Sequence, residues 1–543
     1  MRHVPSDKRV GLFSKPSTLN PKHRWVQQDE EDSDMHMLSV GSGSISMPDR
    51  EYYLAKEFAP HRKAFVKTVA EVFSILDPSA GKEEANRKAE VVLAIETKMA
   101  KSMPDRGSSR GMRPDFSYKF ANLTDLCPII EWQRVFDGLG MGDVGSPGAP
   151  RLAVMYPPSL KDLSKIISES SWEDVRTLIK WQMTKGYSPY LPKNMVDVFV
   201  EWNKDLYGLQ VASPRDRKCF STTQSALPQH LSRMFIERHT HPSTFNETES
   251  LLEHIRGEMA ADFNGGVKWM SDRSRGLALK KLAAMGFRVG GPSKWRPRPH
   301  LNLSSTSFLM NQVQVETETG VRERARLRVV PDKTRWTMAS TTVNAYYDRE
   351  QNSLFIPAAI LLPPFFGGSK ASNYGAIGTV LGHEMTHGFD DIGHLYDAKG
   401  RRSSVKQWDD ATEAGYSRQA RCISDEFSSF TVAGGAHVNG NLTLGEDIAD
   451  AGGLRLSYNA FKTASGGTLT LEQKHEFFMS FAQTWCNVER DAAQGAGVLS
   501  DEHAPAKWRV NGALRNFEPF SDAFGCPAGS RMSPPADERC VLW

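Results

Sequence analysis

The chain has 543 residues, room for two large domains or three ordinary ones, and its 39% hydrophobic share suffices for sizeable cores. The 67 basic and 64 acidic residues leave a net charge of +3, which gives no support to a nucleic-acid partner, since nothing suggests a concentrated basic face. No run of about 18 apolar residues occurs, so no bilayer span is expected, and the first twenty residues lack the apolar stretch of a secretory signal.

Residues 1–47 read as a disordered polar tail, with the acidic cluster "DEEDSD" (Asp29 to Asp34) and a flexible "GSGSIS". From Pro48 the pattern turns helical. "HRKAFVKTVAEVFSIL" places Phe65, Val66, Val69, Phe73 and Leu76 on one face, and Pro78 ends the run. "EEANRKAEVVLAIETKMA", "LKDLSKIISESSWEDVRTLIKWQ" and "ETESLLEHIRGEMAADF" are further amphipathic segments, so 48–275 is expected to be an all-helical domain. A Pro/Arg-rich turn, Gly290 to His300, marks a change of texture. After it "RARLRVV" alternates like a strand, and "TTVNAYYDREQNSLFIPAAIL" reads as strand, turn, strand. Helices are expected at about 376–389, 446–463 and 471–490, making 276–543 a mixed α and β domain.

The six cysteines (Cys127, Cys219, Cys422, Cys486, Cys526 and Cys540) fit no zinc-ribbon spacing. With four Asn-x-Ser/Thr sequons, at Asn122, Asn246, Asn302 and Asn441, they lean towards an oxidising compartment, but no entry signal accompanies them, so composition leaves the compartment open.

The chemistry concentrates in His383-Glu384-Met385-Thr386-His387. Residues four apart share a helix face, so the two imidazoles can bind one ion. Glu384 can then take a proton from a water that zinc has acidified. Two core histidines are the plain alternative. A third ligand is not found where two common patterns put it: Asp390 and Gly393 occupy the metzincin positions, His394 is one residue out of register, and Lys406 and Gln407 stand nineteen residues on. "GEDIADAGGL" offers Glu446 and Asp450, again four apart: Glu446 as third ligand, Asp450 as acceptor for the free ring N–H of a ligating histidine. The alternative is that these acids favour a helix N-terminus, which is the reading for Asp447.

The motifs "NAYYDREQNSLFIPAAILLPPFF", "VLGHEMTHGFDDIGHLYDAKG", "GEDIADAGGL", "FAQTWC" and "DEHAPAKWRVNGALRNFEPFSDAFGC…CVLW" occur in one order. Together they resemble the neprilysin-like zinc metallopeptidases (peptidase family M13), which include the endothelin-converting enzymes. The likeness is dense from Val330 and thinner from Met47. It implies a mainly α fold with a smaller β part: a thermolysin-like (gluzincin) zinc peptidase domain at 276–543, capped by the helical domain at 48–275. It implies one zinc per chain on His383, His387 and Glu446, with Glu384 as base and Asp450 behind a ligand. Asn344 and Ala345 resemble the edge-strand anchor for an extended substrate. His503, oriented by Asp501, resembles the donor to the transition-state oxyanion, and Arg509 the residue that grips a substrate carbonyl. Ile360, Phe365, Val380 and Trp485 match an apolar pocket for the residue after the scissile bond.

The implied function is endopeptidase or oligopeptidase cleavage of peptides on the amino side of bulky apolar residues. The implied location is extracellular, in the secretory lumen or at the plasma membrane, with any membrane contact made through a segment absent from this chain. Family members usually carry a cytoplasmic tail, one membrane span and a cysteine-rich stretch, none of which is found, so the resemblance is to an N-terminally truncated member. By the family pattern Cys422 pairs with Cys540. Cys219, Cys486 and Cys526 lose their partners, and a Cys486–Cys526 bridge stays open. A catalytically impaired peptide binder and a different metallohydrolase are the rival readings.

Overall fold

The computed structural model describes residues 26–115, 118–144, 150–298, 301–402 and 406–543. Its first core is helical. The helix Ala59–Leu76 carries Pro60 in its first turn, where a missing N–H costs nothing, and ends at Asp77 before Pro78. It buries Phe65, Val69 and Phe73, while Val66 is half-buried and Leu76 exposed. It lies on Gly81–Ser102. Phe65 meets the rings of Trp181 and Trp202 at 5.5 and 5.6 Å. The long stretch 160–182 forms two helices, Pro157–Glu169 and Trp172–Tyr187, because Ser171 caps the second by accepting from the Asp174 amide.

Two expectations fail in this half. Of the expected tail, residues 1–25 lie outside the described residues, but 26–47 are built into the fold. Strand β1 (Val26–Gln28) pairs antiparallel with β2 (His36–Val40), which pairs parallel with β3 (Arg151–Val154). The domain is therefore not all-helical. The acidic cluster is a tight turn, not a solvated run: Asp29 accepts from the amides of Glu31 and Asp32, and Arg151 pairs with Asp29 and Glu31 at 3.0 and 2.6 Å. The following segment is pinned at Ser46, whose amide and hydroxyl donate to buried Glu96 at 3.0 and 2.7 Å; Lys185 Nζ donates to the Ser46 carbonyl at 3.0 Å.

The second core gathers Leu252, Ile255 and Met259 of the helix Pro242–Ala261 with Leu354, Ile356, Leu381, Met385 and Leu454. That helix was expected in the first domain; its apolar face packs on the second. Here β4 (Gly286–Gly290), β5 (Tyr346–Asp348) and β6 (Ser353–Pro357) form a sheet in the order β4-β6-β5. β5 is antiparallel to β6 and lies at the edge. "RARLRVV" is not a strand: the helix Phe308–Ala325 runs into it and a 3₁₀ turn follows at Arg326–Arg328. Arginines around its start pair back onto the helix, Arg322 with Glu318 and Arg326 with Glu323, four and three residues apart, which is helical spacing.

Cys422 and Cys540 form a disulfide that closes a sequence separation of 118. Cys127, Cys219, Cys486 and Cys526 are thiols, so the open Cys486–Cys526 bridge is not formed. Among the described residues no helix is long and apolar enough to cross a membrane.

Candidate metal centre

Two helices build the centre. Thr379–Thr386 carries His383 and Glu384, with His387 at its C-cap; it follows a π-turn, Tyr374–Gly378, held by the Ser457 hydroxyl donating to the Tyr374 carbonyl at 2.6 Å. Gly440–Ala464 carries Glu446 and Asp450, and Asn439 caps it by accepting from the Leu442 amide. Because this helix starts at Gly440, Glu446 and Asp447 lie beyond its first turn. A simple N-terminal preference therefore does not account for them. The helices touch backbone to backbone. A Cβ on Gly453 would lie 2.6 Å from the His383 nitrogen, and one on Gly382 2.9 Å from the Gly453 Cα. Gly453→Ala is expected to push the helices apart, cost about 1–3 kcal/mol, and weaken metal binding; thermal denaturation with and without zinc checks this.

The close crossing brings His383, His387 and Glu446 together, with one donor atom of each within 4.8 Å of the others. Glu446 Oε2 lies 3.2 Å from His383 Nε2 and 3.6 Å from His387 Nε2. It has no hydrogen-bond partner despite its burial, and neither does Glu384 Oε2. Two imidazole Nε2 atoms, 3.0 Å apart, and one carboxylate oxygen without a hydrogen bond turn towards one point, and fit a divalent ion of the zinc type with an open fourth position. Burial alone would raise the Glu446 carboxyl, but His387 and His383 hold it well below the usual carboxylate range. His387 is held well above its usual value, because Glu446 and Asp390 outweigh its burial. Burial pushes the Glu384 carboxyl up.

Each imidazole is backed by a carboxylate. His383 Nδ1 lies 2.9 Å from Asp450 Oδ1, and His387 Nδ1 lies 2.7 Å from Asp390 Oδ2. Asp390 also accepts from the amides of Ile392 and Gly393. The sequence reading passed over Asp390; its i+3 position after His387 was the available signal. Arg509 donates to Asp450 through Nε and Nη2 at 2.7 and 2.8 Å, and stacks 3.8 Å over Trp485. His503 is half exposed; its Nδ1 lies 2.8 Å from Asp501 Oδ1 and its Nε2 3.3 Å from Glu446 Oε2. Asp447 is buried and accepts from the Thr443 hydroxyl at 2.6 Å. His394 packs between Trp408 and Tyr416, as a core histidine does.

A cavity of about 770 Å³ opens over the centre. Asn344, Ala345, Ile360, Phe365, Val380 and Trp485 line it together with the metal triad, Glu384, Asp501, His503 and Arg509. Asn344 is exposed at the head of edge strand β5, and its Oδ1 accepts from the Ala345 amide at 2.9 Å. Arg110 also lines the cavity, a contribution from the first half that the sequence reading missed. It pairs with Asp391 at 2.7 Å and donates to the Leu442 carbonyl at 3.1 Å.

Family models described as peptidase family M13 match residues 12–292 and 344–540. The first match begins at residue 12, well ahead of Met47, where the likeness was traced from the sequence. The chain is 30% identical to the endothelin-converting enzyme homolog of Locusta migratoria, over 95% of this chain and 74% of that protein. It is 29% identical to endothelin-converting enzyme 1 of Homo sapiens, over 96% of this chain and 69% of that one. Among solved structures, the zinc metalloprotease ZMP1 of Mycobacterium tuberculosis in complex with an inhibitor superposes with a TM-score of 0.89 at 27% identity, covering 96% of this chain and 80% of that chain. Both halves of the sequence match one family, and the histidine and glutamate helices meet where a metallopeptidase needs them: the chain belongs to peptidase family M13.

Proposed function

We propose that the chain is a zinc-dependent endopeptidase or oligopeptidase that cleaves peptides on the amino side of bulky apolar residues. The observation that carries this is Glu384: a buried carboxylate with an unpartnered oxygen, on the cavity wall beside three convergent ligand groups. His383, His387 and Glu446 would hold a zinc ion, which would supply Lewis acidity to a water and to the scissile carbonyl. Glu384 takes the proton from the attacking water and passes it to the leaving amine. His503, aligned by Asp501, donates to the developing oxyanion, and Asp450 and Asp390 fix the tautomers of the two ligating imidazoles. An extended substrate adds to edge strand β5, with its backbone held by Asn344 and Ala345. Arg509, locked on Asp450, presents its remaining Nη1 to a substrate carbonyl. Ile360, Phe365, Val380 and Trp485 receive the side chain after the cut.

The two halves act as two domains, Arg110 bringing the first to the wall of a cavity that the second mostly lines, and a cavity of about 770 Å³ selects peptides over folded proteins. The disulfide suits an oxidising compartment, so extracellular or secretory placement is part of the proposal. Chelation tests it. The zinc-loaded protein cleaves a peptide carrying one Phe or Leu, mass spectrometry places the cut before that residue, a chelator abolishes cleavage and added zinc restores it. Cutting after basic or acidic residues, or cleavage untouched by the chelator, overturns the reading.

A further inference from the structure

Arg349 stands just past the end of edge strand β5 and lines the same cavity as the metal triad. The other two arginines of that wall are engaged, Arg110 with Asp391 and Arg509 with Asp450. Among the described residues no ion pair or side-chain hydrogen bond holds the Arg349 guanidinium; its recorded contact is the Tyr396 ring, 6.0 Å away. The acids around it are occupied otherwise. Asp390 is bound by His387 and two amides, Asp348 by Gln351, and Glu30 faces Arg402 at 3.7 Å. Burial pushes the Glu350 carboxyl up to about 8, which favours its uncharged form, and Glu350, Asp390 and Glu30 act on the Arg349 charge only through space. The cleft thus keeps a cation at this end.

The register says which end it is. Tyr346 pairs with Phe355 and Asp348 with Ser353, so β6 runs on through Pro357 to Ile360 at the Asn344 end. The apolar pocket therefore lies at the Asn344 end, and Arg349 at the other. A paired peptide rises about 3.3 Å per residue, which sets Arg349 roughly three or four residues to the amino side of the scissile bond. We propose that Arg349 determines specificity by receiving an acidic side chain of the substrate at that position. This rests on the peptidase reading of the cleft.

The test uses the zinc-loaded full chain and three peptides with one Phe after the cut, differing only in Glu, Gln or Lys four residues before it, and a second set with the change three residues before. The expected result is a kcat/KM for the Glu peptide at least tenfold above the Lys peptide in one set, mostly through KM. Arg349→Gln brings that ratio to about one, Arg349→Lys keeps it, and Arg349→Glu inverts it. If Arg349 merely balanced Asp390 and Glu350, its replacement would change all peptides alike and leave the ratio standing, which overturns the inference. So does a wild type blind to the charge in both sets. Fluorescence anisotropy of the same peptides on the Glu384→Gln variant gives a readout without turnover. Charge-selective binding with no cleavage by wild type defeats the peptidase reading and keeps the subsite. Cleavage without charge preference does the reverse.

Discussion

Glu384→Gln is expected to lower kcat/KM for peptide hydrolysis by about 10³-fold while zinc content stays at one per chain. The substitution keeps the shape of the side chain and removes only its capacity to take and return a proton. Glu384 is not among the convergent ligand groups, which are His383, His387 and Glu446, so the metal has no reason to leave. The side chain is 5% exposed, and no other residue donates to its Oε2, so the amide disturbs no existing bond there. Kinetics and metal analysis on the same preparation decide the matter. A variant within tenfold of wild type would mean that another group accepts the proton. A variant that loses its zinc would move Glu384 from base to ligand. A wild type as inactive as the variant, yet still binding peptide, would leave a peptide receptor in place of an enzyme.

The metal helices were legible because their signal is local. His383 and His387, like Glu446 and Asp450, lie four apart, and a helix turns that spacing into a shared face. The glycines beside these pairs, Gly382 and Gly453, carried the tertiary information, since only residues without a Cβ allow this crossing. Asp390 was passed over because its place had been tested only as a ligand, whereas its contact is with the far nitrogen of His387. Arg110 could not be found by spacing at all: it reaches the centre from a segment more than 280 positions away from Asp391. Strands β1 and β2 were lost for a different reason. They are three and five residues long and flank an acidic turn, and the charges that made the turn look disordered are neutralised by Arg151, which lies on β3. The alternation in Arg324–Val330 misled in the opposite direction: period two is visible in the letters, but the segment continues a helix that had already begun at Phe308.

Asp450→Ala is expected to do two separable kinds of damage. Asp450 is 2% exposed and holds two groups at once, the His383 ring through Oδ1 and the Arg509 guanidinium through both oxygens. Removing it leaves Arg509, 7% exposed, as a buried cation that has lost its two hydrogen bonds and keeps only the longer approach to Glu446 Oε2 at 3.7 Å, which costs up to about 3 kcal/mol of folding stability. It also frees the His383 ring to turn and to change tautomer, which weakens zinc binding by about 10–100-fold. Denaturant unfolding of the metal-free protein reads the first loss, and competition with a zinc chelator reads the second. The double variant Asp450→Ala with Arg509→Met tells them apart. Replacing the stranded cation by an apolar side chain returns much of the stability, because the penalty belongs to the unpaired charge. It cannot return zinc affinity, because nothing then accepts the His383 N–H. If stability and zinc affinity recover together, Asp450 acts on the metal only by holding the two helices in place, and its contact with His383 carries no weight of its own.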